Sequence, residues 1–472
     1  MTTPWETYYP YTGSCLPSLI ISSRGSATHV KKEPRISVGI MDRQAEINGR
    51  LNGSFIIQGF GPASSTFSAK GTSGMVVLTD GSGREITRSP SITLCAGNDS
   101  TFALFRVIIG NCFHWERRED QVFEGNLILR SRGDGTIAAI NEISMENYLK
   151  SVISSEMSAT APPEFLKVHA ILSRSWLLAA LDQKENKGAE LGPEGEISEK
   201  QGEITRWYDR EDHDLYDVCA DDHCQRYQGV TKIVSAEAEK AVRDTQGMAI
   251  TYEGKICDAR YSKACGGLTE DFETAWDKTR IPYLVSISDA PTSHHAIETE
   301  DEAARWILSE PDAYCNTKDP ALLKKILPDF DRETTAFFRW RVEYGRQELE
   351  TILREKSGID FGTLKEIMPL HRGPSGRISR LKITGSRKTV IVGKELEIRR
   401  WLSPSHLLSS AFVVTAEHDR HGKVERFVFR GAGWGHGVGL CQIGAAVMAA
   451  RGFKAEEILC HYFPGVAIRK VY

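Results

Sequence analysis

No apolar run in this 472-residue chain approaches the roughly 20 residues that a membrane-spanning helix needs. Charge of neither sign dominates: 59 Lys and Arg against 63 Asp and Glu leave a net charge of -4, without the basic clustering that nucleic acid or an anionic membrane surface would require. Neutral polymers or small molecules fit that balance better. The opening stretch lacks the basic n-region and continuous apolar h-region of a secretory signal and, taken by itself, reads as cytoplasmic. Ten cysteines are too thinly spread for a small disulfide scaffold, and most read as buried small residues or free thiols. There is no internal repeat, no G-x-G-x-x-G and no phosphate loop ending in G-K-[ST], which disfavours a nucleotide site.

What is there is an ordinary globular balance, 40% hydrophobic and 26% charged, enough for one elaborate domain or two to three packed ones. After a loose tail over residues 1–34, the region 35–141 reads as short strands and turns, among them "RISVGIM", "SFIIQGF" and the hairpin "NLILRSRGDGTIAAI". In region 142–298, Ser144 offers an N-cap to a helix striped by Met145, Tyr148, Leu149, Val152 and Ile153. Pro162 and Pro163 close it and open a second helix through Phe165, Val168, His169, Leu172 and Trp176. Residues 184–201 read as an exposed loop, 299–375 as a helical insertion, and 376–472 as strands followed by a glycine-rich motif and terminal helices. The order predicts an α+β fold: a mixed, multi-lobed domain with a β-rich N-terminal module, a helical catalytic segment and a C-terminal β/helix portion lining one groove.

Glu156 follows Val152 by four positions and Leu149 by seven, so a helix that continues this far carries a carboxylate on its apolar face. Burial and the negative pole at the helix C-terminus both disfavour the charged form, as a general acid requires. A helix that frays before Glu156 would simply release it to water. In "GAGWGHGVG" glycine occupies every second position from Gly431 to Gly439, which in an extended strand clears one face for a ligand or another backbone and puts Trp434 and His436 on the other. Gln442, just beyond, could bond a hydroxyl or acetamido group. "YSKACGGLTED" is a second glycine-bearing turn, at Gly266 and Gly267; with those glycines, Ser262, Thr269 and Glu270 are candidate substrate contacts, although an ordinary solvated turn fits equally. His213, Cys219, His223 and Cys224 supply two imidazoles and two thiols, a donor set for tetrahedral zinc, in a stretch that otherwise reads as an acidic surface loop. Four protein ligands leave no open position, so such a zinc would be structural; with only three, it would make a zinc hydrolase.

Three stretches, "NEISMENYLKSVISSEMS…PPEFLKVHAILSRSW", "CQRYQGV…YSKACGGLTE" and "FRGAGWGHGVGLCQIGAAVMAARGFKAEEILCHYFPGV", resemble the SpoIID/LytB family in content and order, from about Arg35 to the end. The resemblance implies a lytic transglycosylase that cuts peptidoglycan glycan strands, preferably stripped of stem peptides, between N-acetylmuramic acid and N-acetylglucosamine. It implies that Glu156, in the Glu-Met pair with Met157, is the catalytic residue, that Ser262, Trp434, His436 and Gln442 orient sugars, and that His213, Cys219, His223 and Cys224 hold a structural zinc. It also implies a location in the cell envelope or periplasm. LytB-like relatives imply an alternative, a glycan-binding enhancer of a cell-wall amidase without catalysis of its own. The chain departs from the family pattern at Cys265 and Cys441, where serine is common, and at Ser158, where proline is common.

Overall fold

The computed structural model describes residues 32–110, 116–187, 197–200, 202–207, 213–332 and 336–472. Most of the loose N-terminal tail expected over 1–34 therefore lies outside the described residues. The fold is α+β, as the sequence predicts, with helices and several sheets throughout.

Two sheets build the N-terminal module. Arg35–Gln44, Ile137–Ser144 and Asn126–Ser131 form the centre of a seven-stranded sheet, and Thr101–Ile109, Glu46–Asn52 and Thr66–Thr72 form the centre of a six-stranded one. Glu46–Asn52 alternates exposed and buried residues without a break, the period-2 pattern of a strand with one face on the core. Phe102 stacks on Phe123 at 5.4 Å, Phe123 meets Tyr227 at 5.8 Å, and Tyr227 stacks on Tyr148 at 5.0 Å. This run of rings carries the packing out of the module and into the first helix, α1 (Met145–Glu156).

Ser144 caps α1 by accepting from the Asn147 N–H. Glu146, in its first turn, pairs bidentately with the buried Arg174 of α2 (Pro163–Lys187) at 2.9 and 2.6 Å. The helix is thus anchored at its start by a buried ion pair and along its length by Tyr148, Leu149, Val152 and Ile153, all fully buried. It runs unfrayed to Glu156, so the apolar stripe places that carboxylate inward.

A second hydrophobic core lies between the C-terminal sheets, with Trp340, Leu381, Trp401, Phe412 and Phe429 among its members. Three expectations change here. The region 299–375 holds the helices Glu300–Leu308, Pro320–Ile326 and Arg346–Ser357, but also the strands Arg339–Gly345 and Leu364–Arg372. "RWRVEYG" turns Trp340 and Tyr344 to the core at period 2 and pairs along its whole length with Val424–Ala432. The expected loop at 184–201 is in part structured: α2 runs to Lys187, and Ile197–Lys200 pairs with Glu203–Arg206, which joins Thr389–Gly393 in parallel. Backbone pairing at a sheet edge needs no apolar periodicity, which is why composition alone did not reveal it. Finally, Cys460 is disulfide-bonded, whereas Cys95, Cys219, Cys224, Cys257, Cys265, Cys315 and Cys441 are free. Among the described residues no helix is long and apolar enough to cross a membrane.

Candidate active site

Glu156 is the last residue of α1 and is 8% exposed. Its Oε1 accepts two hydrogen bonds, one from the Arg226 backbone N–H at 2.9 Å and one from the Tyr261 hydroxyl at 3.0 Å. Its Oε2 has no hydrogen-bond partner among the described residues. The carboxylate is therefore held by one oxygen and offers the other.

Around it lies a buried charge network. Lys263 donates to the Glu156 backbone carbonyl at 2.9 Å and pairs with Asp331 at 2.8 Å. Arg226 pairs with Asp331 at 3.4 Å and, more closely, with Asp222. Burial works against the charged form of Asp331, but Lys263 and Arg226 outweigh it and hold the carboxyl below its usual range. Two cations are thereby kept beside Glu156, each matched by an acid. Tyr261 is fixed in turn: its ring meets His169 at 5.0 Å, and His169 receives the Gln442 amide at 2.9 Å and contacts Ser173 at 3.1 Å. Burial, helped by the Lys263 charge, lowers the pKa of His169 to about 3, so its ring is neutral.

Tyr261 and Lys263 belong to a strap that is zipped to the glycine-rich strip. Tyr261 and Ser262 pair in parallel with Leu440 and Cys441, Ala264 bridges Trp434, and Glu270 bridges Val438. The strip is not an open strand face. At Gly437, with φ of 78°, an added Cβ would lie 2.3 Å from the Arg377 guanidinium carbon. At Gly439, with φ of 72°, it would lie 2.2 Å from the Arg260 carbonyl oxygen. The space expected for a ligand at these two glycines is filled by the chain itself, a tight packing crossing. Positive φ at alternate residues also breaks the strand parity that would have set Trp434 beside His436. Trp434 stacks on Phe337 at 5.9 Å, while His436 meets Trp276 edge-on at 4.9 Å and accepts from the Val438 N–H.

Other predicted contacts also turn inward. Gln442 is 2% exposed, with its amide on His169, so it positions the ring behind Tyr261 rather than facing a sugar. The Thr269 hydroxyl bonds the Val285 carbonyl and receives the Ile287 N–H. Gly266 and Gly267 lie against Gly433 and the Trp306 ring. Ser262 differs: its buried hydroxyl has no hydrogen-bond partner among the described residues. Buried polar atoms normally find partners, so Ser262 marks a place for a ligand or water.

Glu270 is fully buried and accepts from Ser375, Thr274 and the Asp271 N–H. Burial raises its pKa from 4.5 to about 7, against the opposing pull of the Ser375 bond and the Arg377 charge. Between those values the folded chain keeps a proton that the unfolded chain has released, so this group costs stability as pH rises through the window, on the order of 3 kcal/mol in all. In denaturant titrations at about pH 5 and pH 8, Glu270→Gln is expected to gain on the wild type at the higher pH; an unchanged difference would contradict this.

The four residues of the expected metal cluster do converge, with their donor atoms all within 4.8 Å of one another. Cys224 Sγ lies 3.4 Å from both His213 Nε2 and His223 Nδ1. Hydrogen bonding from Cys224 and the two histidines holds the Cys219 thiol far below its usual pKa. The cluster hangs from the N-terminal sheet through Val218–Cys219, which pairs with Val38 and Gly39. Two residues beyond Cys224 stands Arg226, the donor to Glu156.

Sequence reasoning missed Arg226, Tyr261, Lys263, His169 and Asp331. The first three lie inside motifs that attracted notice for their glycines and cysteines, so a signal was present. Asp331 had none; it enters from the region 299–375, 105 residues from Arg226. A cavity of about 260 Å³ opens at the other end of α1, lined by Glu146, Asn147, Lys150 and Gln246 among others. It plays no part in this arrangement.

One buried, singly anchored carboxylate thus stands among matched charges, on a helix end held by a strap and a glycine-rich strip. The family model described as "Stage II sporulation protein" matches residues 133–252, which include α1, and one described as "Domain of unknown function (DUF8618)" matches 270–439, which include Asp331. Stage II sporulation protein D of Bacillus subtilis (strain 168) is 26% identical over 333 residues, 70% of this chain and 76% of the relative. Stage II sporulation protein D of Bacillus amyloliquefaciens is 25% identical over 330 residues, 70% and 75% of the two chains. The amidase enhancer of B. subtilis is 25% identical over 255 residues, half of this chain and 33% of the relative. These matches support the resemblance of the chain to the SpoIID/LytB family.

Proposed function

We propose that this protein is a peptidoglycan lytic transglycosylase with Glu156 as its one general acid and base. The observation that carries the reading is the asymmetry of that carboxylate: Oε1 is fixed by Arg226 and Tyr261, and Oε2 has no partner among the described residues. Protonated Glu156 gives its proton to the glycosidic oxygen as the C1–O bond breaks, and the developing oxocarbenium ion is captured by the C6 oxygen of the same muramoyl residue. That hydroxyl's proton returns to Glu156, and the product carries a 1,6-anhydro end. Water is not consumed, so a second carboxylate at about 5 to 9.5 Å, the usual need of hydrolysis, is not required. Asp222 and Asp331 are ion-paired with Arg226 and Lys263 and do not serve as free bases. When Glu156 is ionised, Lys263 and Arg226 steady the charge. Ser262, Trp434 and His436 are the proposed sugar contacts.

The donor set His213, Cys219, His223 and Cys224 fits tetrahedral zinc, two nitrogen and two sulfur ligands with none left open. Bound there, zinc would supply rigidity, pinning the loop that presents the Arg226 N–H to Glu156. A cell-wall role and an envelope location accord with relatives named for sporulation and for amidase enhancement. The match to the amidase enhancer favours one second reading, a glycan-binding partner of a cell-wall amidase. Mass spectrometry of peptide-stripped glycan strands after incubation decides between them. Products with 1,6-anhydromuramic ends are expected; reducing ends would mean hydrolysis, and intact strands with retained binding would favour the amidase partner.

A further inference from the structure

We propose that Cys265, Asp289, Cys315 and Cys441 form a second metal site, a structural zinc centre separate from the His213 cluster. Their ligand atoms, three Sγ and one carboxylate oxygen, all lie within 4.8 Å of one another. All four side chains are buried, at 2%, 0%, 1% and 0% exposure. The Sγ atoms of Cys265 and Cys315 are 3.7 Å apart and both thiols are free. Two sulfurs on a tetrahedral zinc with bonds of ~2.3 Å stand ~3.8 Å apart, so this spacing, although also that of two thiols in contact, accommodates a shared metal without rearrangement.

The alternative is that three thiols are packed as small hydrophobes around a neutral, hydrogen-bonded Asp289, which gives no reason for three thiols and a carboxyl to converge on one point. Among the described residues no ion pair reaches this buried carboxylate. A carboxylate taken out of water without a cation is costly, and a divalent metal supplies the missing charge. The surroundings are also built for anionic ligands. The backbone N–H groups of Cys265 and Gly444 point at Cys441 Sγ at 3.2 and 3.4 Å, and that of Gly267 at Cys265 Sγ at 3.4 Å. Asp289 receives the Cys315 N–H at 2.9 Å and the Tyr462 hydroxyl. Such outer contacts orient ligands and stabilise their charged forms. At Gly444 a Cβ would lie 2.3 Å from Asp289 Oδ1, so the helix Gln442–Ala450 can come this close only with glycine there.

Three thiolates select a soft metal, and four protein ligands leave it no open position, so the role is structural. The site ties the strap that carries Tyr261 and Lys263, through Cys265, to the strip's following helix, through Cys441, and to two further loops. It therefore holds together the elements that position Glu156, whatever reaction Glu156 performs.

Elemental analysis of the purified protein is expected to give two zinc equivalents per chain, falling to one in Cys315→Ser and, separately, to one in His213→Ala. Should Cys315→Ser fail to fold, the wild type decides alone. Apo protein reloaded with Co²⁺ should show thiolate-to-cobalt absorbance of five thiolates, two from the first cluster and three from the second. One zinc per chain with a two-thiolate cobalt spectrum, or a Cys265–Cys315 disulfide in metal-free protein, overturns the proposal. Copper at the same stoichiometry overturns the choice of metal.

Discussion

Glu156→Gln is expected to lower the rate of glycan cleavage by on the order of 10³-fold while glycan binding stays within a few-fold of wild type. The substitution keeps the shape of the side chain, and its amide oxygen can still accept from the Arg226 N–H and the Tyr261 hydroxyl. What it loses is the proton on Oε2 and the base that follows, a contribution that proton transfer by a positioned side chain makes worth 10² to 10⁴. Time courses of anhydro-product release, with a pull-down on insoluble glycan as the binding measure, check both halves. A variant that retains cleavage would remove Glu156 from the mechanism. Loss of binding together with cleavage would point to a structural part for it instead.

Asp331→Asn is expected to destabilise the fold by about 3 to 5 kcal/mol, the cost of leaving buried charges without their partner. Lys263 and Arg226 both lean on this carboxylate, and neither side chain is more than 8% exposed. Urea unfolding of the variant measures the loss. A charge-free replacement, Asp331→Leu with Lys263→Met, should cost less than Asp331→Asn alone, because it removes a buried charge rather than stranding one. If the double variant is the weaker, the network stabilises by more than mutual neutralisation, and the argument for Asp331 as a counter-charge fails. The prediction also bears on the region 270–439, matched to a domain of unknown function. Through Asp331 that region takes part in the surroundings of Glu156.

Much of the fold was legible. The period-2 segments from Arg35 to Asn141, the cap at Ser144, the apolar stripe of α1 and the proline that opens α2 are local signals, written in residues that are neighbours in sequence. So was the convergence of His213, Cys219, His223 and Cys224, which lie within twelve consecutive residues. The stripe put Glu156 on the inward face only if the helix continued, and the structure shows that it does. The glycine strip was left with two outcomes, a ligand or another backbone, for a physical reason. Alternate glycines guarantee that something comes close but not what, and here Arg377 and the backbone of Arg260 fill the room at Gly437 and Gly439.

The sequence by itself indicated the strands of the N-terminal module, α1 and α2, and the donor set of one candidate metal cluster, because each depends on spacing along the chain. Only the tertiary structure decided what surrounds Glu156. Tyr261 reaches it across 105 residues, Arg226 across 70, and Asp331 joins Arg226 across another 105. It also gathered Cys265, Asp289, Cys315 and Cys441, four donors that no spacing rule connects. Contacts of that kind follow from which faces pack together, and packing is settled by the whole core rather than by any one stretch of it.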